Sequence, residues 1–137
     1  MDQGEDMDQR EETKLSLSQY DPWVIKKKLT DSDTSVNAKL YLPRQGLEGS
    51  IIPLMRQPMV LQMGMANGVE VKVHVIEEGN EADDYTWRLV KSNDGVYYLK
   101  GGWGVFAKDK AYQTGDVIGL MWDQSYERFL LHKIVQY

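Results

Sequence analysis

The chain has no cysteine, which excludes disulfides, thiolate nucleophiles and cysteine-based zinc sites together and suits a reducing compartment such as cytosol or nucleus. Histidine is nearly as scarce, with only His74 and His132. Each sits in a stretch that reads as a strand, without a partner at the spacing of a metal site or an acid–base pair, so both read as strand-face residues. No apolar run approaches the roughly 20 residues of a membrane-spanning helix. The acidic start, MDQGEDMDQREE, has the wrong charge for a signal or transit peptide. Phosphate-binding loops are missing as well, because no GxxxxGKS/T or GxGxxG spacing surrounds Gly101-Gly102 or Gly115. The acids Glu77, Glu78, Glu81, Asp83 and Asp84 lack the spacing of a calcium loop and read as a solvated loop. The expectation is a soluble intracellular protein that is not an enzyme, with no cofactor, no metal, no membrane contact and no small-molecule substrate.

An excess of base is also lacking: 16 Lys+Arg stand against 21 Asp+Glu, a formal charge of −5. The distribution matters more than the sum. Residues 1–20 hold six acids and two bases, so they carry −4 and the remainder only −1. They lack sustained periodicity and read as an acidic, disordered arm outside the fold, which leaves 21–137 as one domain. Within that body the bases bunch at Lys26-Lys27-Lys28, Lys39, Arg44, Arg88, Lys91 and Lys100, so a near-neutral domain can still carry a basic face.

What is present is a succession of short β signals. Trp23 to Lys28, Lys39 to Leu42, Val69 to Val75, Tyr85 to Lys91, Val96 to Leu99, Val117 to Trp122 and Phe129 to Val135 read as strands, and Val60 to Met63 as a further short one. The turns Ala66-Asn67-Gly68 and Ser92-Asn93-Asp94-Gly95 separate them. Two short helical segments are predicted: Leu47 to Met55, interrupted by Pro53, reads as a short helix or an irregular crossing, and Trp103 to Lys110 as a helix in which Trp103, Phe106 and Ala107 recur at helical offsets. This pattern predicts a mainly β fold, a seven-stranded open barrel with two short helical segments. Trp23, Trp103, Trp122 and Phe106 read as core, while the place of Trp87 is open.

The ordered combination of Leu29-Thr30, Ser32-Asp33, Leu40-Tyr41-Leu42-Pro43, the strand around Tyr97 to Leu99, Gly102-Trp103, Phe106 and Gly115-Asp116 resembles the plant B3 DNA-binding domain. The resemblance runs from Trp23 to about Lys133 and is closer to the reproductive-meristem type than to the hormone-response or seed-maturation types. It implies a barrel that grips double-stranded DNA in the major groove with two loop arms, in transcription, in a plant nucleus. The first arm would be Thr30 to Lys39, with Ser32, Thr34, Ser35 and Asn37 facing base edges or phosphates and Lys39 a phosphate. The second would be Arg88 to Val96, with Arg88, Lys91, Ser92 and Asn93 as contacts. Lys100 is expected on a phosphate, and Lys27, or Lys26 with Lys28, flanks the groove according to strand register. Beside these stand plainer readings: Asp33 tightens its own turn, and Ser92 to Gly95 is a hairpin turn and nothing more. In Val36-Asn37-Ala38 the chain departs from relatives that carry Lys, Arg or His there. The alternative class is a degenerate B3-like barrel that has lost DNA binding and meets protein partners instead.

Overall fold

Alternating valines decide the first face. In the computed structural model, which describes residues 23–35, 37–76 and 82–134, the strand β3 (Val69–Ile76) buries Val69, Val71, Val73 and Val75, exposes Glu70 and Lys72, and leaves His74 half-buried. The other strands are β1 (Ile25–Lys28), β2 (Leu40–Leu42), β4 (Ala82–Lys91), β5 (Tyr97–Lys100), β6 (Val117–Asp123) and β7 (Arg128–Ile134). They form one seven-stranded sheet in the order β1-β6-β7-β3-β4-β5-β2. Only β3 and β7 pair in parallel. The fold is therefore the expected open barrel, with its seam between β1 and β2. The expected acidic arm 1–20 and the Glu77, Glu78 and Glu81 part of the acidic loop lie outside the described residues.

Two differences from the sequence reading concern helices. Val60 to Met63 is not a strand but the end of a helix, α1 (Gln57–Met63). Pro58 sits in its first turn, where a missing N–H costs nothing, and Met63 is buried while Leu61 is 67% exposed, a helical rather than an alternating pattern. The segment is four residues, three of them apolar, too short for periodicity to separate the two states. The segment Leu47 to Met55 becomes part of a string of short helical turns from Arg44 to Leu54, α, then π over Leu47–Ile51, then 3-10, that buries Leu47 and Ile51. The helix α2 (Trp103–Asp109) matches its prediction within one residue.

An aromatic cluster fills the barrel beneath α2. Trp87 is 2% exposed and meets Trp103 edge-on at 5.9 Å and Phe106 at 5.4 Å, which settles its open place as core. Such pairs add about 0.5–1.5 kcal/mol each beyond the area they bury. Gly102 is required here: its φ is +146°, and a Cβ would lie 2.7 Å from the Trp87 indole nitrogen. Trp103, Trp122 and Phe106 are buried as expected, whereas Trp23 is only half-buried, lying over Gly119 and stacked on His132 at 5.5 Å.

The seam is closed by side chains. Asp33, 2% exposed, accepts hydrogen bonds from the Thr30 amide at 2.9 Å, the Thr30 hydroxyl at 2.9 Å and the Lys27 ammonium at 3.2 Å. Lys27 also donates to the Tyr41 carbonyl, joining β1 to β2 across the gap. The Asp33 carbonyl accepts the Trp103 indole N–H at 2.7 Å.

Two outcomes follow in urea unfolding. Asp33→Ala removes the partner of a partly buried ammonium and two caps of the turn, and is expected to cost about 3 kcal/mol; a loss under about 1 kcal/mol would sink the role given to Asp33. The helical assignment of α1 requires Met63→Ala to cost about 2–5 kcal/mol, with Leu61→Lys close to neutral; comparable losses at both positions, which would share one face of a strand, would restore a strand.

Candidate nucleic-acid interface

The first arm is built on a rigid root. Leu29, 1% exposed, exchanges backbone bonds with the Gly115-Asp116 turn, Leu29 N–H to Asp116 O at 2.8 Å and Gly115 N–H to Leu29 O at 2.9 Å. Thr114 donates its hydroxyl to Asp31 at 2.6 Å. From that root a single tight turn, Ser32–Thr34, projects the arm. Its hydroxyl hydrogens are partly consumed within it: Thr34 donates to the Asp31 carbonyl at 3.1 Å and Ser35 to the Ser32 carbonyl at 3.3 Å. Ser32, Asn37 and Lys39 are exposed.

The strands behind the arm set the charges. Leu40 pairs with Leu99 and Arg88 with Lys100, so directly opposed residues share a face. Lys39, one residue before β2, comes beside Lys100, and the two line a common hollow of about 250 Å³ with Asn37, Gly101 and Val105. Arg88 adjoins Lys100 in the same row, and Glu70 is opposite Arg88 on the next strand. The outer face of β2 and β5 between the arms carries two tyrosines, Tyr41 and Tyr98, 5.6 Å apart, with the Lys39 ammonium 4.8 Å above the Tyr98 ring. The tyrosines were not among the expected contacts; their alternation with Leu40, Leu42 and Leu99 was the available signal.

The second arm stands at the other end of β5. Its turn is self-satisfied: Ser92 donates to Asp94, the Val96 amide donates to the Ser92 hydroxyl at 3.1 Å, and the Ser92 amide donates to the Val96 carbonyl at 2.8 Å. Asn93 is exposed at the tip. Lys91 is exposed at its base, with its ammonium 5.7 Å from the Tyr97 ring centre. Three residue steps of β5 separate Lys100 from Tyr97, roughly 10 Å of strand.

Two expected contacts are occupied by structural bonds. The Lys27 ammonium, on a side chain 17% exposed, is directed to Asp33 and Tyr41. Arg88 donates Nε–H to the Asn67 carbonyl at 2.5 Å and Nη2–H to the Gly68 carbonyl at 3.0 Å, bracing the turn before β3; three of its five donors remain. The acids of the described part of the acidic loop are held at the opposite end of β4: Asp83 lies 3.2 Å from Lys110, and Asp84 lies 2.7 Å from His74, whose hydrogen bond holds the Asp84 carboxyl below the usual carboxylate range. Among the described residues there is no group of three or more His, Asp or Glu arranged to hold a metal ion, and no helix long and apolar enough to cross a membrane.

A family model described as "B3 domain-containing protein At5g26805, C-terminal domain" matches residues 23–134. The putative B3 domain-containing protein At1g51970 of Arabidopsis thaliana is 50% identical over 128 residues, covering 93% of this chain and 99% of that one. The B3 domain-containing protein At1g10455 of the same plant is 50% identical over 113 residues, covering 80% and 71%. Among solved structures, the Arabidopsis FUS3-DNA complex superposes with a TM-score of 0.58 at 17% identity, covering 84% of this chain and 99% of that one. The Arabidopsis thaliana transcription factor LEC2-DNA complex gives 0.55 at 17%, covering 81% and 91%. At that identity these two likenesses concern the fold alone. The family match over residues 23–134 and relatives identical at half the aligned positions lead to one conclusion: the chain belongs to the B3 domain family.

Proposed function

We propose that this chain binds double-stranded DNA, presenting its two arms to the major groove across the outer face of β2, β5 and β4, and that it acts in a plant nucleus in transcription. The observation that carries this reading is the row Lys39, Lys100 and Arg88 beside the first arm, with Lys91 and the second arm one short strand away. A span of roughly 10 Å between the ends of β5 is comparable with the major groove, about 12 Å wide. That FUS3 and LEC2 were solved as DNA complexes supports the same use of the fold.

In this reading Lys39, Lys91 and Lys100 neutralise phosphates, while Ser32, Asn37 and Asn93 reach base edges. Thr34, Ser35 and Ser92 serve chiefly to stiffen the arms, with their oxygen lone pairs still able to accept. Lys27 is a strut of the first arm rather than a contact.

Fluorescence anisotropy with a pool of random duplexes over a salt series tests the reading. Native chain should bind with a steep salt slope, and Lys39→Ala/Lys100→Ala should flatten it by roughly 0.9 for each phosphate contact removed, about equally for all sequences. No binding at low salt would overturn the proposal and leave a protein-interaction barrel. Arg88→Ala is a separate case, because it leaves two turn carbonyls without a donor. It should lower stability by about 1–2 kcal/mol in urea unfolding, so any loss of DNA affinity in that variant must be read after stability is matched; unchanged stability would refute the bracing role.

A further inference from the structure

Beneath the second arm lies a charged cluster that the DNA-binding row does not include. Pro43 ends β2, and Arg44 begins the string of turns that follows. Glu48 stands one turn later. Its carboxylate accepts the Arg44 Nε–H at 3.2 Å and the Tyr97 hydroxyl at 2.8 Å. Tyr97 is buried, and burial, followed by its bond to Glu48, pushes its phenol up to about 12, so it remains a donor at any working pH. The same hydrogen bond, before the charges of Arg44 and Lys91, holds the Glu48 carboxyl below the ordinary carboxylate range. Core-anchored Tyr97 thus fixes Glu48, and Glu48 fixes Arg44.

The direction in which Arg44 is fixed is the informative part. Gly95, in the second-arm turn, has φ +83°, and a Cβ built on it would lie 2.9 Å from Arg44 Nη1 and 3.2 Å from Cζ. The guanidinium therefore rests against the arm. Its side chain is 62% exposed. With Nε–H given to Glu48, the four N–H bonds of its two terminal amino groups are left for other acceptors. An exposed ion pair of this type adds little to stability, so holding the chain together is a poor account of why it is built on a buried tyrosine.

We propose that Arg44 is an additional phosphate-contacting residue of the interface, seated beside the second arm, with Glu48 as its positioning residue. The proposal rests on the DNA-binding reading above. It adds a cation at the end of β5 where Lys91 otherwise stands alone among the candidate cations, and it gives the two arms comparable charge. A planar fork braced on one edge suits bidentate donation to a phosphate.

Arg56 provides the control. It too is an exposed arginine, 67%, paired through Nε to a glutamate, Glu127 at 2.7 Å, but it lies against the turn between β6 and β7. Each variant removes one positive charge, so effects of net charge cancel. Salt-dependent anisotropy with the duplex pool should show the native slope fall by roughly 0.9 in Arg44→Ala and stay unchanged in Arg56→Ala. Arg44→Lys should recover most of the slope, and Arg44→Gln, which keeps a polar side chain without the charge, should not. Circular dichroism melting points should agree among all four variants. If Arg44→Ala and Arg56→Ala behave alike while Lys39→Ala/Lys100→Ala flattens the slope, the Arg44 contact is overturned and the DNA-binding reading stands; if the native chain binds no duplex, both fall.

Discussion

Asp33 carries its carboxylate into a place with almost no solvent, and the rest of the first arm is arranged around keeping it satisfied. Removing a carboxylate from water costs several kcal/mol unless donors replace the lost hydration. Here the replacements are the Thr30 amide, the Thr30 hydroxyl and the Lys27 ammonium. Each donor fixes something else. The Thr30 bonds close the turn from which the arm projects. Lys27 must turn in toward the seam, where its second bond, to the Tyr41 carbonyl, links the two strands that the backbone ladder leaves unjoined. The Asp33 carbonyl holds the Trp103 indole, so the position of α2 and of the aromatic cluster beneath it depends on the same residue.

That dependence explains what the recognisable residues of this chain are for. Leu29-Thr30 with Ser32-Asp33, Gly102-Trp103 and Gly115-Asp116 come from three separate parts of the sequence, yet they meet at one place, the root of the first arm. Their chemistry is structural: a buried leucine, a buried carboxylate, an indole donor, a glycine pressed on an indole. A family resemblance carried by these residues speaks strongly for the barrel and for an arm held rigidly in place, and says little about what the arm touches. DNA binding therefore has to be argued from the charges and exposed amides that surround the root.

The strands were legible because alternation survives in them, most clearly from Val69 to Val75, and α2 was legible because Trp103, Phe106 and Ala107 share a helical face. The helix α1 was not. Three apolar residues in a stretch of four fit either period, and tertiary packing of Met63, rather than local preference, decides it. The candidate contacts were legible by type but not by commitment. Lys27 and Arg88 look alike to Lys39 and Lys100 in sequence, and only the geometry reveals that Lys27 is directed to Asp33 and Tyr41 and that Arg88 gives two of its five donors to Asn67 and Gly68. No local pattern announces a lysine that faces inward to a buried acid 6 residues away in sequence.

Hydrogen bonds made within the arms also limit how selective such an interface is. A hydroxyl that has given its hydrogen to an acceptor within its own arm can still accept, but it no longer offers the donor–acceptor pair that separates one base edge from another. Thr34, Ser35 and Ser92 are in that position. On the proposed reading, discrimination falls to Ser32, Asn37 and Asn93 and to the remaining donors of Arg88, whereas phosphate contact is spread over Lys39, Lys91, Lys100 and Arg44. Stiff arms lower the entropy cost of docking, and they do so equally for every sequence. An interface divided in this way gains affinity chiefly from the phosphates and limited discrimination from the bases. A wider difference between cognate and random duplexes would then have to come from the shape of the groove that two fixed arms can enter.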